Sequence, residues 1–327
     1  MEKQSINNIG VFTSGGDAPG MNAALRAVVR TAVYCGKNVF TIKSGFKGMI
    51  NGEIEQVGTR SVSNIIQTGG TVIKTARSER FRNRQWREQA FANLQKFGID
   101  GLIAIGGDGT FRGCAELHKE FNIRMVGVPG TIDNDLYGTD FTIGYDTAIN
   151  TALDAIDKIR DTSQSHERFF IIEVMGRDAG FIGLEAGIAG GAESILIPEI
   201  KTDVGRLCKE IKSLFDRGKT SNIVVVAEGD DAGSAFEIGA KIKNATGIDY
   251  RVVVLGHIQR GGNPSARDRV LASKLGYWAV KHLIDGKTNV MAGEINGKIV
   301  LTDIEDTFKK KKPIDSDALE MAMILAC

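Results

Sequence analysis

Seven residues carry the densest chemistry in the chain: Pro129-Gly130-Thr131-Ile132-Asp133-Asn134-Asp135. The apolar run at 123–128 before them reads as a buried strand. Proline and glycine stop that strand, and two carboxylates follow at i and i+2. In an extended loop those two side chains point the same way. A strand end that presents acids suits a general base that must meet a substrate. The plain alternative is an aspartate-rich turn, because Asp and Asn favour turns on their own.

Two further turns have the composition of phosphate cradles. Gly106-Gly107-Asp108-Gly109-Thr110 embeds one acid among glycines. Its backbone can approach phosphate closely, and its acid can hold Mg²⁺ directly or through water. Ser14 to Gly20 is a similar turn without so clear a role. Basic residues stand near other strand ends. Arg177 follows a strand directly, and His257 and Arg260 sit in a glycine-flanked turn, whereas Arg168 and Arg251 stand just before strands, at the opposite end. Guanidinium groups clamp phosphate in bidentate fashion. Taken singly, each arginine reads first as a surface ion pair and His257 as a satisfied structural histidine, but four arginines and a histidine near three turns are more than one small phosphate ester needs from one chain. Several familiar sites are excluded. Gly218-Lys219-Thr220 has Ser213 where a Walker A motif has its first glycine, and it precedes a strand. No Gly-x-Gly-x-x-Gly opens a helix after a strand, and Ser14 lies in no Gly-x-Ser-x-Gly elbow.

The elements that must position these groups alternate. Strands are expected at 9–13, 99–105, 123–128, 169–174, 195–197, 223–227 and 251–255, and helices at 21–34, to about 119 and at 145–161. Near-continuous apolar strands between helices predict parallel sheets covered on both faces. The polar turns then fall at strand C-terminal ends, where open α/β sheets bind ligands and helix starts favour anions. No long linker divides the chain, so two sheet domains with the site between them are expected. Residues 78–97, heavily charged around Trp86, read as a solvated helix with an aromatic anchor, and Lys309 to Lys312 as a solvated face.

Composition narrows the classes. The 327 residues carry 41 basic and 40 acidic side chains, a net charge of +1, which removes the simplest argument for nucleic acid. Cys35, Cys114, Cys208 and Cys327 are scattered and His number four, so a structural zinc site is not expected. The polar start Met1-Glu2-Lys3-Gln4-Ser5 is no signal peptide, and no apolar run reaches membrane-spanning length. A reducing cytoplasm is the expected compartment.

Five blocks together identify a family: Thr13 to Ala23, Gly106 to Thr110, Pro129 to Asp135, Glu173 to Arg177, and Leu255 to Gly262. In this order, between residue 9 and about 270, the sequence closely resembles the bacterial ATP-dependent 6-phosphofructokinases. Gly-Gly-Asp-Gly by itself also resembles NAD kinases and lipid kinases. The resemblance implies an α/β protein of two Rossmann-like domains with mainly parallel sheets and the active site in the cleft between them. Residues 1–143 plus 259–309 would form the larger, ATP-binding domain, and 144–258 plus 310–327 the smaller, fructose-6-phosphate-binding one. It implies transfer of the ATP γ-phosphoryl group to the 1-hydroxyl of fructose 6-phosphate, a glycolytic step.

Residue by residue, the pattern makes Asp133 the general base, Thr131 and Arg177 stabilisers of the moving phosphoryl group, and Asp108 the Mg²⁺ acid. Gly16, Arg77, Ser78, Gly107, Gly109 and Thr110 fall at ATP positions. Met175, Gly176, Glu228, His257 and Arg260 fall at sugar-phosphate positions, and Arg168 and Arg251 would reach the sugar 6-phosphate from a neighbouring subunit of a homotetramer. Arg26, Arg30, Arg60, Arg160, Glu193, Arg217 and Lys219 match an effector site for a nucleotide or phosphoenolpyruvate, with Thr220 and Ser221 departing from the pattern. Phe46 stands where members often place a tyrosine beside the adenine. Pyrophosphate-using relatives carry aspartate at Gly109 and lysine at Gly130, so the glycines imply ATP. Alternatives are a pyrophosphate-dependent relative or a non-catalytic regulator on the same fold.

Overall fold

The computed structural model describes residues 6–166, 168–219 and 221–325, so Met1 to Ser5, Thr220 and Cys327 of the sequence reading lie outside the described residues. In chain order the elements begin with strand β1 (Asn8–Thr13), helix α1 (Met21–Tyr34), β2 (Asn38–Ile42), α2 (Gly45–Asn51), β3 (Ile54–Val57) and α3 (Arg84–Lys96). They continue with β4 (Gly101–Gly106), α4 (Asp108–Phe121), β5 (Arg124–Pro129), α5 (Tyr145–His166), β6 (Phe169–Val174), α6 (Phe181–Ala189), β7 (Ser194–Leu196) and α7 (Val204–Asp216). Last come β8 (Asn222–Ala227), α8 (Ala235–Thr246), β9 (Tyr250–Val254), α9 (Ala266–Ile284), β10 (Val290–Ile295), β11 (Lys298–Asp303), α10 (Asp306–Lys309) and α11 (Ser316–Leu325).

The chain forms two compact units. One holds the described residues up to Thr131, Asp135–Thr147 and Arg260–Lys312; the other holds Ile132–Asn134, Ala148–Gln259 and the described residues from Pro313 on. The first unit is built on a seven-stranded sheet in the order β11-β10-β5-β4-β1-β2-β3. Its five middle strands run parallel, and an antiparallel strand closes each edge: β3 on β2, β11 on β10. All six residues of β4 are buried, as helix-covered parallel sheets require. The second unit has four parallel strands in the order β7-β8-β6-β9. Phe169 pairs with both Asn222 and Tyr250, so β6, β8 and β9 start level, and β9 ends one residue short of the other two. Phe169, Ile171, Val224 and Val226 on this sheet pack with Leu207, Ile211, Ile238 and Ile242 from α7 and α8.

One expected element differs in character. Helix α3 is not simply solvated, because Arg87 on it is buried. Its Nε and Nη2 bond the two carboxylate oxygens of Glu120 at 2.8 and 2.6 Å, and its Nη1 donates to the carbonyls of Phe81 and Arg82. Four fixed acceptors let a guanidinium leave water. Trp86 packs half-buried against the core, as an anchor should. The lysine run is exposed at Lys309, Lys310 and Lys311, while Lys312 is half-buried and donates to the Asp140 carbonyl at 2.6 Å.

Candidate active site

In the first unit two turns are locked together. Strand β1 ends beside β4, and the Ser14 amide donates to the Ile105 carbonyl at 3.1 Å. The buried Thr110 hydroxyl donates to the Ser14 carbonyl at 3.0 Å. Gly106 makes this approach possible, since a Cβ there would lie 2.3 Å from Thr110 Oγ1 and 2.7 Å from the Ser14 oxygen. Thr75 fixes the same turn from outside by donating to the Gly15 carbonyl at 2.8 Å, which places Arg77 and Ser78 two and three residues further along. Helix α4 opens at Asp108 with no side chain capping its first amides, an arrangement that suits an anion. Asp108 pairs with Arg112 at 2.7 Å and is about one-third exposed, and no atom lies within 4 Å of a Cβ built on Gly109. A single accessible carboxylate beside an open glycine turn fits Mg²⁺, which takes few protein ligands and shares phosphate oxygens. Phe46, by contrast, is a core residue: Phe81 stacks on it with centroids 3.9 Å apart, and Phe12 tilts against it at 5.2 Å.

After β5 the acid-bearing stretch turns sharply. The Gly130 amide donates to the Gly106 carbonyl at 2.9 Å, and the Thr142 hydroxyl to the Thr131 carbonyl at 2.6 Å. The extended geometry expected for Asp133 and Asp135 is not present. Asn134 between them has φ 54°, in the left-handed region, so the alternation of an extended chain is broken. The two acids then separate: Asp133 is 3% exposed, while Asp135 is half-buried. Residues Ile132–Asn134 belong to the second unit and Asp135 to the first.

In the second unit, Asp133 Oδ2 lies 3.7 Å from Arg177 Nε. Arg177 follows β6 through Gly176 and has φ 53°, a conformation that costs a bulky residue about 1–3 kcal/mol unless its surroundings hold it. Here they do. The Arg177 amide donates to Glu228 Oε2 at 3.3 Å, and a Cβ on Gly229 would stand 2.2 Å from the Arg177 carbonyl oxygen. The Met175 amide donates to Gln259 Oε1 at 2.9 Å, and Gln259 is fully buried. Thus β6, β8 and β9 bring Met175, Gly176, Arg177, Glu228 and the exposed His257 to their C-terminal ends. Arg168 and Arg251 stand at the N-terminal ends of the neighbouring strands β6 and β9, both exposed. Six residues of strand span about 20 Å, so these two arginines are at the far end of the sheet from Arg177.

The residues expected at an effector site divide between the units. Arg26 and Arg30 lie on α1, which packs beside the turn Thr59–Val62 that carries Arg60. In the second unit buried Glu193 takes Lys219 at 3.2 Å, Arg160 at 3.5 Å and the Ile223 amide at 2.5 Å. Arg160 also donates to the Gly190 and Gly191 carbonyls at 2.6 Å. Glu193 and Arg217 line a cavity of about 540 Å³ with Leu319 and Met323 of α11. Sequence reasoning missed Thr75 and Gln259 as positioning groups. Gln259 lies inside the Leu255 to Gly262 block and was within reach; nothing about Thr75 announces its partner, sixty positions away.

Comparison with known proteins places the chain. The phosphofructokinase family model matches residues 8–283. ATP-dependent 6-phosphofructokinase 1 of Thermus thermophilus is 55% identical over 321 residues, 98% of this chain and all of that protein. The ATP-dependent 6-phosphofructokinase of Cytophaga hutchinsonii is 55% identical over 318 residues, 97% of each. Among solved structures, phosphofructokinase from Saccharomyces cerevisiae superposes with a TM-score of 0.88 at 35% identity, over 98% of this chain; the chain spans about half (47%) of that longer one. A pyrophosphate-dependent phosphofructokinase from Marinobacter aquaeolei, at 24% identity and a TM-score of 0.84 over 98% of this chain and 92% of its own, shares the fold.

Proposed function

The chain belongs to the phosphofructokinase family, and on that premise we propose that Asp133 is the base with which it phosphorylates fructose 6-phosphate at the 1-hydroxyl from ATP. The carrying observation is a carboxylate 3% exposed with a guanidinium 3.7 Å away, at the end of an apolar strand. Asp133 takes the proton of the sugar hydroxyl as that oxygen attacks the γ-phosphorus, and the bond to the ADP oxygen breaks. Arg177 and Thr131 meet the charge on the transferring phosphoryl group. Such transfer needs little covalent chemistry from the protein, mostly positioning and neutralisation.

Gly16, Arg77, Ser78, Gly107, Gly109 and Thr110 receive ATP on the first unit. Asp108 would hold Mg²⁺, which when bound neutralises charge on the nucleotide's phosphate oxygens. Met175, Gly176, Glu228, His257 and Arg260 hold the sugar phosphate. Arg168 and Arg251 serve the 6-phosphate of a neighbouring copy in a homotetramer, which accounts for their place at the far end of the sheet. Arg26, Arg30, Arg60, Arg160, Glu193, Arg217 and Lys219 contribute to an effector site for a nucleotide or phosphoenolpyruvate at a subunit interface. The donor is ATP and not pyrophosphate: open space at Gly109 leaves room for the nucleotide, and Gly130 is packed against Ile105 and Met21, where a Cβ would stand 3.1 and 3.3 Å from their methyl groups. A coupled assay with fructose 6-phosphate, offering ATP and pyrophosphate separately, tests this. Turnover with ATP alone is expected, and turnover with pyrophosphate would overturn the donor assignment. Among the described residues no helix is long and apolar enough to cross a membrane. A cytoplasmic enzyme fits a reaction between two phosphorylated metabolites.

A further inference from the structure

The turn after β1, assigned above to the nucleotide, also holds an arginine. Arg260 is 9% exposed, and its Nη1 donates to the Asp17 carbonyl at 3.2 Å. Its guanidinium lies over Gly16. A Cβ built on Gly16 would stand 2.5 Å from Nη1, 3.1 Å from Cζ and 3.5 Å from Nη2, and these are its three nearest atoms. Gly16 is not in the left-handed region, so a side chain there strains no dihedral. The turn itself is pinned, because the Ser14 carbonyl is held by Thr110 and the Gly15 carbonyl by Thr75. A methyl group at 16 therefore displaces the tip of Arg260 and leaves the turn in place.

We propose that Gly16 is a positioning residue for Arg260, so that the turn facing the nucleotide also seats the arginine that meets the sugar phosphate. This rests on the assignment of Arg260 to the sugar phosphate. The two proposed ligand positions then share one backbone wall, with Thr110 and Thr75 fixing one side and Arg260 lying on the other.

The test is a double-mutant cycle with Gly16→Ala and Arg260→Ala in the full-length enzyme. Fructose 6-phosphate binding is measured without nucleotide, with ATP binding and the thermal midpoint beside it. Gly16→Ala is expected to weaken sugar-phosphate binding about tenfold, the scale of one charge-assisted hydrogen bond, and to move the midpoint by less than about 2 °C. In the Arg260→Ala background the same change should add less than about twofold. Where that background binds too weakly to read, Arg260→Lys, whose slim ammonium clears a methyl group, replaces it in the cycle. Equal losses in both backgrounds, a loss confined to ATP, or a midpoint several degrees lower would each overturn the proposal. Wild-type enzyme that binds ATP but no fructose 6-phosphate would sink the functional reading, and this inference with it.

Discussion

The two ends of the four-stranded sheet are made differently. At the C-terminal ends of β6 and β8 the proposed site residues Met175, Arg177 and Glu228 are tied into a network. Arg177 reaches Asp133, its amide bonds Glu228, and Met175 is pinned by buried Gln259. At the N-terminal ends Arg168 and Arg251 are exposed, and the Arg251 side chain turns back to donate to the carbonyl of its own neighbour, Tyr250, at 3.0 Å. One end is pre-organised for chemistry, which is what transition-state stabilisation asks of a protein. The other presents cations that this chain's own fold does little to employ. On the proposed assignment, placement along a strand separates groups that act within a subunit from groups offered to a neighbour.

The largest expected effect lies at the organised end. Asp133→Asn should cut kcat by about 10²-fold or more, the worth of a general base, with a modest change in the KM for fructose 6-phosphate. Retained turnover would remove Asp133 from that role and leave the organised end without its centre. At the other end, Arg168→Ala or Arg251→Ala should raise that KM by about 10–100-fold, as loss of a charge-assisted phosphate contact does, while kcat at saturation holds within a few-fold. A fall in kcat equal to that of Asp133→Asn would erase the distinction between the ends.

In the first unit, Gly109→Asp should weaken ATP binding about tenfold or more, since a carboxylate would fill space beside like-charged phosphates. Unchanged affinity would show that the space is not used. The smallest effect is expected where an ion pair has no ligand to meet. The Arg87 guanidinium, hydrogen-bonded to Glu120, holds that carboxyl below its ordinary value. A depressed acid contributes stability above its ordinary pKa of about 4.5 and loses it as pH falls through the lower folded value. Glu120→Gln should therefore lower the thermal midpoint by a few degrees at pH 7, flatten part of the acid sensitivity and leave kcat unchanged.

Much of this was legible because the chemistry-bearing blocks are local. Glycine turns after apolar runs gave β1, β4, β5, β6, β8 and β9 to within two residues, and the helix at 21–34 in full. Strands β2, β3, β10 and β11 were not foreseen. They lie toward the edges of their sheet; β3 exposes Glu55 and Gln56 at its centre, and β11 has only the short apolar run Ile299 to Leu301 between exposed Lys298 and Asp303. The site was readable as residue types and unreadable as geometry. Nothing local says that Asn134 turns left-handed and parts Asp133 from Asp135, or that Arg87 in a charged helix finds a bidentate partner on α4. Both depend on contacts between residues distant in sequence or on one backbone dihedral.

The most direct test of the two-ended sheet mixes subunits. Asp133→Asn and Arg251→Ala chains are assembled together and assayed at low fructose 6-phosphate, where each parent is weak. If Arg251 serves a neighbour across a two-fold interface, a site that pairs intact Asp133 with the neighbour's intact Arg251 is complete, and random assembly should return about a quarter of wild-type activity. Activity no greater than the sum of the two parents would contradict the account.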